Sequence, residues 1–382
     1  MGAVPYWRLS GFYFFYFAFV GAMAPYWSLY LKSLAFDALA IGVLMSLLQV
    51  TRIFAPNIWG HIADRTGRRA AIVRIAAVGS LVTYLGVFFG TSFWWLFAVM
   101  VAMSFFWSAS LPLVEATTLA HLGDRPHDYG LIRLWGSIGF IATVVGLGAA
   151  LDTQPIRLML WVVLAMLAGV ALFAYAMPDA PATAHSTDRD PVWTIVRRPE
   201  VAALIAACFL MAAAHGPYYT FYSIWLVDHG YTKTAVGWLW ALGVIVEIGV
   251  FLAAPRIFSR FSLETVFLAS FAAAATRFLM IAWGVDSVGV IVLAQTLHAM
   301  TFGTYHASAI ALVHRFFKGR HQAKGQGIYN SVAFGAGGTL GGLYSGFTWD
   351  RLGGAATFSI AAAFAGVALV IVAFKLRPAA VP

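Results

Sequence analysis

The sequence predicts an all-α membrane protein: twelve transmembrane helices in two pseudo-symmetric six-helix bundles, residues 1–177 and 200–382, joined by a linker at 178–199. Three observations predict it. The chain of 382 residues is 61% hydrophobic and 10% charged, with a mean hydropathy of +0.82, whereas an ordinary soluble domain is about 25% charged. Its apolar residues fall into runs of roughly 20 or more, the length that crosses a bilayer. Its basic residues gather in alternate loops between those runs. Polar surface is too scarce for a water-soluble enzyme of this size. A β-barrel is excluded because its strands alternate over about 10 residues. Disorder is excluded by 31 Phe, 15 Tyr and 14 Trp, the opposite of a solvating composition. The net charge of +9 does not mark a nucleic-acid binder, because the cations punctuate the ends of apolar runs and form no basic stripe. Cys208, the single cysteine, lies inside an apolar run, so neither an intrachain disulfide nor a thiolate metal site is expected.

The first run extends from Leu9 to Leu31. It is too long for a signal-peptide core and reads as a retained span. Further runs follow at 38–62, 70–90, 93–121, 128–151 and 155–177, then a polar, proline-containing stretch at 178–199. Six more runs occupy 200–227, 232–256, 262–283, 286–314, 325–349 and 353–374. With the N-terminus in the cytoplasm, the inside segments hold seventeen of the 24 Lys and Arg residues and the outside loops hold Lys32, Arg157, Lys233 and Arg351. That asymmetry predicts both termini inside. The halves also repeat. Pro25-Tyr26-Trp27-Ser28-Leu29-Tyr30 in the first run matches Pro217-Tyr218-Tyr219-Thr220-Phe221-Tyr222 in the seventh, and Gly42 matches Gly237, each ten residues before a buried charge, Arg52 or Glu247. This register points to an internal duplication of the kind found in transporters.

Ionisable residues inside spans cost at least about 2.5–3.5 kcal/mol each and therefore face a cavity or a partner. The candidates are Arg52, Glu115, Arg133, Glu247 and Arg277, joined by His215, His298 and His306. A surplus of arginines over carboxylates favours an anionic substrate. Glu115 late in the fourth run and Arg133 early in the fifth can pair across antiparallel helices, as can Glu247 and Arg277. Such pairs either lock helix packing or bind substrate and take up a proton, a role for which a carboxylate in a low-dielectric site is suited. Gln295, His298, Phe302 and His306, spaced three, four and four apart, form one helix stripe. Tyr16 and Tyr218 sit nearer mid-span than the other tyrosines and are candidates for stacking on a planar substrate, and Asn330 is taken with them as a substrate-binding candidate. The glycines at 335, 337, 338, 341, 342 and 346 read as close helix packing. No His-Glu-x-x-His motif occurs, and no metal or cofactor is expected.

Gly60-His61-Ile62-Ala63-Asp64-Arg65-Thr66-Gly67-Arg68-Arg69 resembles the loop signature, G-x-x-x-D-R-x-G-R-R, of the major facilitator superfamily. Asp128-Tyr129-Gly130-Leu131-Ile132-Arg133-Leu134-Trp135-Gly136-Ser137 resembles the fifth-span signature of its phenylpropionate permease branch, which is related to lactose permease-type proton symporters. The resemblance implies that Gly60, Asp64, Arg65, Gly67 and Arg68 gate the cytoplasmic side. It also implies that Glu115 and Arg133 hold substrate, and that Glu247, Arg277 and His298 serve proton coupling. The carboxylate that such symporters carry three residues after the tenth-span histidine is replaced here by Thr301.

These readings converge on a proton-coupled symporter, not an enzyme. It would import a small organic solute, first an aromatic carboxylate such as 3-phenylpropionate. A sugar or nucleoside symporter and a drug or metabolite exporter are the alternatives. Arg133, Glu115, Arg52, Tyr16, Tyr218, His298 and Asn330 are expected to bind substrate, and Glu247, Arg277, His298 and Glu115 to couple the proton. The expected partners are the substrate, the proton and the lipid bilayer, with no nucleic acid, and the expected form is a monomer in a bacterial inner membrane.

Overall fold

The computed structural model describes residues 4–123, 125, 128–179 and 192–376, and every regular element among them is helical. Eleven helices are long and apolar enough to cross a membrane: α1 (Tyr6–Ser33), α2 (Ala38–Thr66), α3 (Arg69–Phe88), α4 (Phe93–Leu122), α5 (Tyr129–Leu151), α6 (Leu158–Ala176), α7 (Pro199–Asp228), α8 (Lys233–Arg260), α9 (Leu263–Trp283), α10 (Val288–Phe316) and α12 (Gly354–Lys375). The twelfth, α11 (322–352), is helical throughout but glycine-rich and less apolar. Most of the 178–199 linker, with Arg189, and Arg377 near the C-terminus lie outside the described residues; a single turn, Trp193–Val196, leads into α7.

Local chemistry sets the helix ends. Gly67 stops α2 in the left-handed region, φ +65°, donating its N–H to the Ala63 carbonyl at 2.9 Å in the manner of a C-terminal glycine cap. Arg74 of α3 donates to the carbonyls of Ala174 and Met177 at 3.3 and 3.0 Å, satisfying the end of α6. Ser262 caps α9 by accepting from the Thr265 N–H at 3.2 Å. The seventh apolar run breaks at His215, between Pro199–Ala214 and Gly216–Asp228, because Pro217 has no N–H to continue the ladder. Two π-helical segments, Ala299–Thr304 in α10 and Asn330–Gly337 in α11, extend runs read from the sequence as plain helix.

The chain forms two compact units that do not follow chain order. One comprises Met1–Phe36, Phe54–His185 and Thr232–Trp238, and the other Asp37–Ile53, Ser186–Tyr231 and Leu239–Pro382. The first half of α2 therefore packs with the C-terminal helices, and the first turns of α8 with the N-terminal ones. In the first unit α1 lies against α5 and α6, and α3 against α4 and α6. In the second, α12 lies against α9 and α7.

The expected duplication is visible as a seam built twice. At the end of α5, Asp152 accepts from the N–H groups of Lys233 and Thr234 at 2.7 and 3.1 Å and from the Thr234 hydroxyl at 2.5 Å. Near the end of α11, Asp350 accepts from the Ala38 N–H at 2.9 Å. Behind the first contact, a Cβ on Gly148 would stand 2.6 Å from the Lys233 carbonyl oxygen and one on Gly237 2.5 Å from that of Val144. Behind the second, a Cβ on Gly346 would stand 2.6 Å from the Ala38 oxygen and one on Gly42 2.7 Å from that of Gly342. The offset is 195 residues on one side of the seam (38 to 233, 42 to 237) and 198 on the other (144 to 342, 148 to 346, 152 to 350).

Candidate functional site

Each unit contains a polar cluster built around a span arginine. In the first, α5 brings Arg133 against α1. The guanidinium carbon lies 3.7 Å from the Phe17 ring centroid and 5.7 Å from that of Tyr13, positions that favour a cation electrostatically. Among the described residues, no hydrogen-bond acceptor and no ion-paired carboxylate contacts this guanidinium. Glu115 of α4 lies near enough to interact with Arg133 through space. Its direct partner is the Tyr129 hydroxyl, which donates to Oε1 at 3.3 Å. The contact pair expected from the sequence is therefore replaced by a tyrosine-held carboxylate beside an aromatic-held cation. Tyr13 closes the group, its hydroxyl 3.3 Å from that of Thr118 and its ring edge-on to Tyr129 at 6.4 Å. Tyr16 is 4% exposed and stacked on Trp107 at 4.0 Å.

The resemblance-derived gate residues stand at the loop end of the same unit. Asp64, Arg65, Gly67 and Arg68 are exposed and Gly60 half-buried. Asp64 and Arg69 form an ion pair at 4.0 Å. Gly60, Asp64 and Arg69 face Leu113, Ala116, Leu119 and Ala120 of α4 across a groove of about 480 Å³.

In the second unit the centre is Arg277 of α9, fully buried. Its Nε, Nη1 and Nη2 donate to the Ala294 carbonyl, the Thr301 hydroxyl and Gln295 Oε1 at 3.2, 3.2 and 3.1 Å. The Tyr218 ring lies 4.2 Å from the guanidinium, and the Tyr218 hydroxyl donates to the same Gln295 oxygen at 3.4 Å. His298 stacks on Tyr218 at 5.6 Å, and the stripe continues through Phe302 to His306 at 5.6 and 6.0 Å. The π-helical segment that begins after His298 brings Thr301 to Arg277; such segments recur at functional sites. His215, at the break in α7, donates from Nδ1 to the Met211 carbonyl at 2.8 Å. Among the described residues, the buried His215 Nε2, His298 Nδ1 and Gln295 Nε2 have no hydrogen-bond partner, which makes this core polar and under-satisfied.

Arg277, Tyr218 and His298 thus come together as one cluster. Arg277, Glu247 and Arg52 all act electrostatically on Tyr219, which links the two remaining charges to it. Arg52 also donates from Nη1 to Gln49 Oε1 at 3.3 Å, and Glu247 packs beside Gly303 of the π-helical segment. Asn330 is exposed at the head of the other π-helical segment, and no contact among the described residues joins it to Arg277. Sequence reasoning missed Phe17, Trp107 and the part of Tyr129. Phe17 was detectable, since it lies four residues after Tyr13 on one helix face. Trp107 carries no such signal.

The model of the MFS_1 like family matches residues 6–360. The chain is 28% identical over 384 residues to the probable 3-phenylpropionic acid transporter of Escherichia coli (strain K12), covering 97% of this chain and 96% of that one. It is 23% identical over 347 residues to the nucleoside permease NupG of the same organism, covering 82% and 80%. A crystal structure of a mutant of the nucleoside transporter NupG matches the fold with a TM-score of 0.84, at 21% identity over 97% of this chain and 98% of that one. A multi-pass membrane transporter and not an enzyme, the chain belongs to the MFS_1 like family within the major facilitator superfamily.

Proposed function

We propose that this transporter is a proton-coupled symporter that imports an aromatic carboxylate such as 3-phenylpropionate across a bacterial inner membrane, as a monomer with both termini in the cytoplasm. The sequence segments 1–177 and 200–382 are its functional halves. The observation that carries the reading is Arg133: a cation near the rings of Phe17 and Tyr13, with no acceptor in contact among the described residues. A planar carboxylate matches the guanidinium fork in bidentate fashion, and a substrate ring finds aromatic neighbours beside it. The first relative's name, a probable 3-phenylpropionic acid transporter, supports the same substrate class. In this reading Arg133 binds the carboxylate, with Arg52, Glu115, Tyr16, Tyr218, His298 and Asn330 as further binding candidates. Glu247 takes the proton, with Glu115 as the alternative. Arg277 sets the field around Glu247, and His298 contributes hydrogen bonds. Gly60, Asp64, Arg65, Gly67 and Arg68 gate the cytoplasmic side.

The test is uptake of labelled 3-phenylpropionate into proteoliposomes under an imposed pH gradient. Arg133→Gln is expected to abolish uptake, and Glu247→Gln to remove its dependence on the gradient. Unchanged gradient-driven uptake in both Glu247→Gln and Glu115→Gln would refute the coupling assignment. A second reading, a nucleoside symporter, is favoured by the similarity to the nucleoside permease. Competition by uridine but not by phenylpropionate would select it. Net efflux under the same gradient would select an exporter.

A further inference from the structure

Arg133 is the fifth residue of α5, close to the end of a span, where a long basic side chain ordinarily snorkels out to the interface. Here it turns the other way. A Cβ built on Gly136, one turn deeper, would stand 2.8 Å from Arg133 Nη1 and 2.7 Å from Phe17 Cδ2. The guanidinium and the Phe17 ring it lies over therefore together occupy the space that any side chain at position 136 would fill. The three atoms that a methyl would meet, Phe17 Cδ2 and Cγ and Arg133 Nη1, belong to side chains and not to backbone. Alanine at 136 would thus leave the helix intact and displace the cation.

We propose that Gly136 and Phe17 form a seat that holds Arg133 turned into the span, and that Gly136 is a positioning residue for recognition of the substrate carboxylate. The inference rests on the reading that Arg133 binds that carboxylate. With Gly136 the guanidinium lies over the Phe17 ring, and its N–H fork has no acceptor among the described residues. With any larger residue the arginine returns to the interface, and the carboxylate loses its partner while the substrate's apolar body keeps its contacts. Such an effect is selective for charge, which general loosening of α5 would not be.

The experiment measures ligand-induced thermal stabilisation of the purified full-length protein, with 3-phenylpropionate and its neutral amide as probes. Gly136→Ala is expected to weaken the carboxylate about tenfold or more, leave the amide within about twofold, and shift the ligand-free melting temperature little. In an Arg133→Gln background the same substitution is expected to do nothing further, because the two act through one group. Phe17→Leu, which leaves α5 untouched, is expected to weaken the carboxylate selectively as well, and it decides the matter should Gly136→Ala fail to fold. Loss of the carboxylate in Arg133→Gln but not in Gly136→Ala or Phe17→Leu overturns the seat alone. Equal weakening of acid and amide also overturns it. Arg133→Gln binding the acid as well as the unsubstituted protein does, or no stabilisation of the unsubstituted protein by the acid, overturns the underlying substrate reading instead.

Discussion

Replacing Gly139 by alanine makes a sharp test of how the first unit holds its site, because the obstacle there is backbone. A Cβ on Gly139 would lie 2.2 Å from the Phe14 carbonyl oxygen, 2.9 Å from its carbon and 3.1 Å from its Cα. An unstrained carbon–oxygen contact is about 3.3 Å or longer, so α1 and α5 must separate or turn by roughly 1 Å. The reciprocal approach of Gly21, whose Cβ would meet the Phe140 oxygen at 2.7 Å, leaves no slack at this crossing. Overpacking costs about 1–3 kcal/mol, and two colliding backbones place this case at the upper end. The helix-propensity gain of alanine over glycine offsets about 1 kcal/mol, for a net loss of about 1–2 kcal/mol. Scaled by about 2–4 °C per kcal/mol for a body of this size, the melting temperature of the detergent-purified protein should fall by roughly 2–8 °C. Carboxylate binding should weaken with it, since Phe17 and Arg133 sit on the two helices that move. Gly136→Ala, the same chemical change one turn away, is the control and should melt within about 2 °C of the unsubstituted protein. If Gly139→Ala and Gly136→Ala melt alike, the distinction drawn between a backbone wall and a side-chain wall is wrong.

Three further outcomes follow from single contacts. Glu264 is 3% exposed and ion-paired with the half-exposed Arg315; Arg315→Ala should cost about 2–3 kcal/mol by stranding a buried carboxylate, and adding Glu264→Gln should restore most of that in a four-protein unfolding cycle. Asp152 lies in the loop after α5. Desolvation pushes its pKa up, but the Thr234 hydroxyl, the N–H groups of Lys233 and Thr234 and the Lys233 charge together bring it below the ordinary value of 3.8. A depressed folded-state pKa contributes stability that is present above the unfolded value and lost as pH falls through the folded one. Asp152→Ala should therefore lower the melting temperature at pH 7, and the gap should narrow below about pH 4; a gap that stays constant with pH would contradict a role for the carboxylate charge. Gly67→Ala places a side chain at φ +65°, a conformation costing about 1–2 kcal/mol, and should speed limited proteolysis at the α2–α3 loop.

The span count, the two repeated halves and the buried charges were legible because each is a property of residue type against a one-dimensional spacing. The break in α7 is foreshadowed by Gly216 and Pro217, although hydropathy alone runs a single span across it. The exchange of the first half of α2 was not legible. It depends on Gly42, Gly342 and Gly346 meeting across 300 residues of chain, and a glycine does not announce which backbone it admits. Likewise the sequence set Glu115 and Arg133 in reach of each other, but not the outcome of the competition for them. Phe17 takes the guanidinium and Tyr129 the carboxylate. Three neutral acceptors and a tyrosine face meet Arg277, an arrangement that charge counting alone does not find.

The two repeats keep their packing and discard their chemistry, and that contrast locates function. Where helices cross, a close contact of the duplication recurs: Gly139 against the Phe14 oxygen is matched by Gly337 against that of Phe209, at 2.2 and 2.5 Å for a built Cβ. The seams at Asp152 and Asp350 recur in the same way. At the 198-residue offset that relates those contacts, Arg133 corresponds to Ser331 and Gly136 to Phe334, while Arg52 corresponds to Glu247 at an offset of 195. In the second repeat the glycine pit is filled by a ring, Phe334, packed on His306 and Tyr329. Packing constraints are the same in both halves, because each must bring helix backbones equally close. The chemical constraints differ on the proposed reading, in which Arg133 of the first repeat meets the substrate's charged end. At the positions of Arg133, Gly136 and Arg52 the repeats differ in charge or size, while the crossing of Gly139 with Phe14 is kept in that of Gly337 with Phe209; on the proposed reading, that difference is what an asymmetric ligand imposes on a repeated fold. Restoring the symmetry chemically, by Arg133→Ser with Gly136→Phe, should leave a folded protein that has lost selectivity for acids over amides.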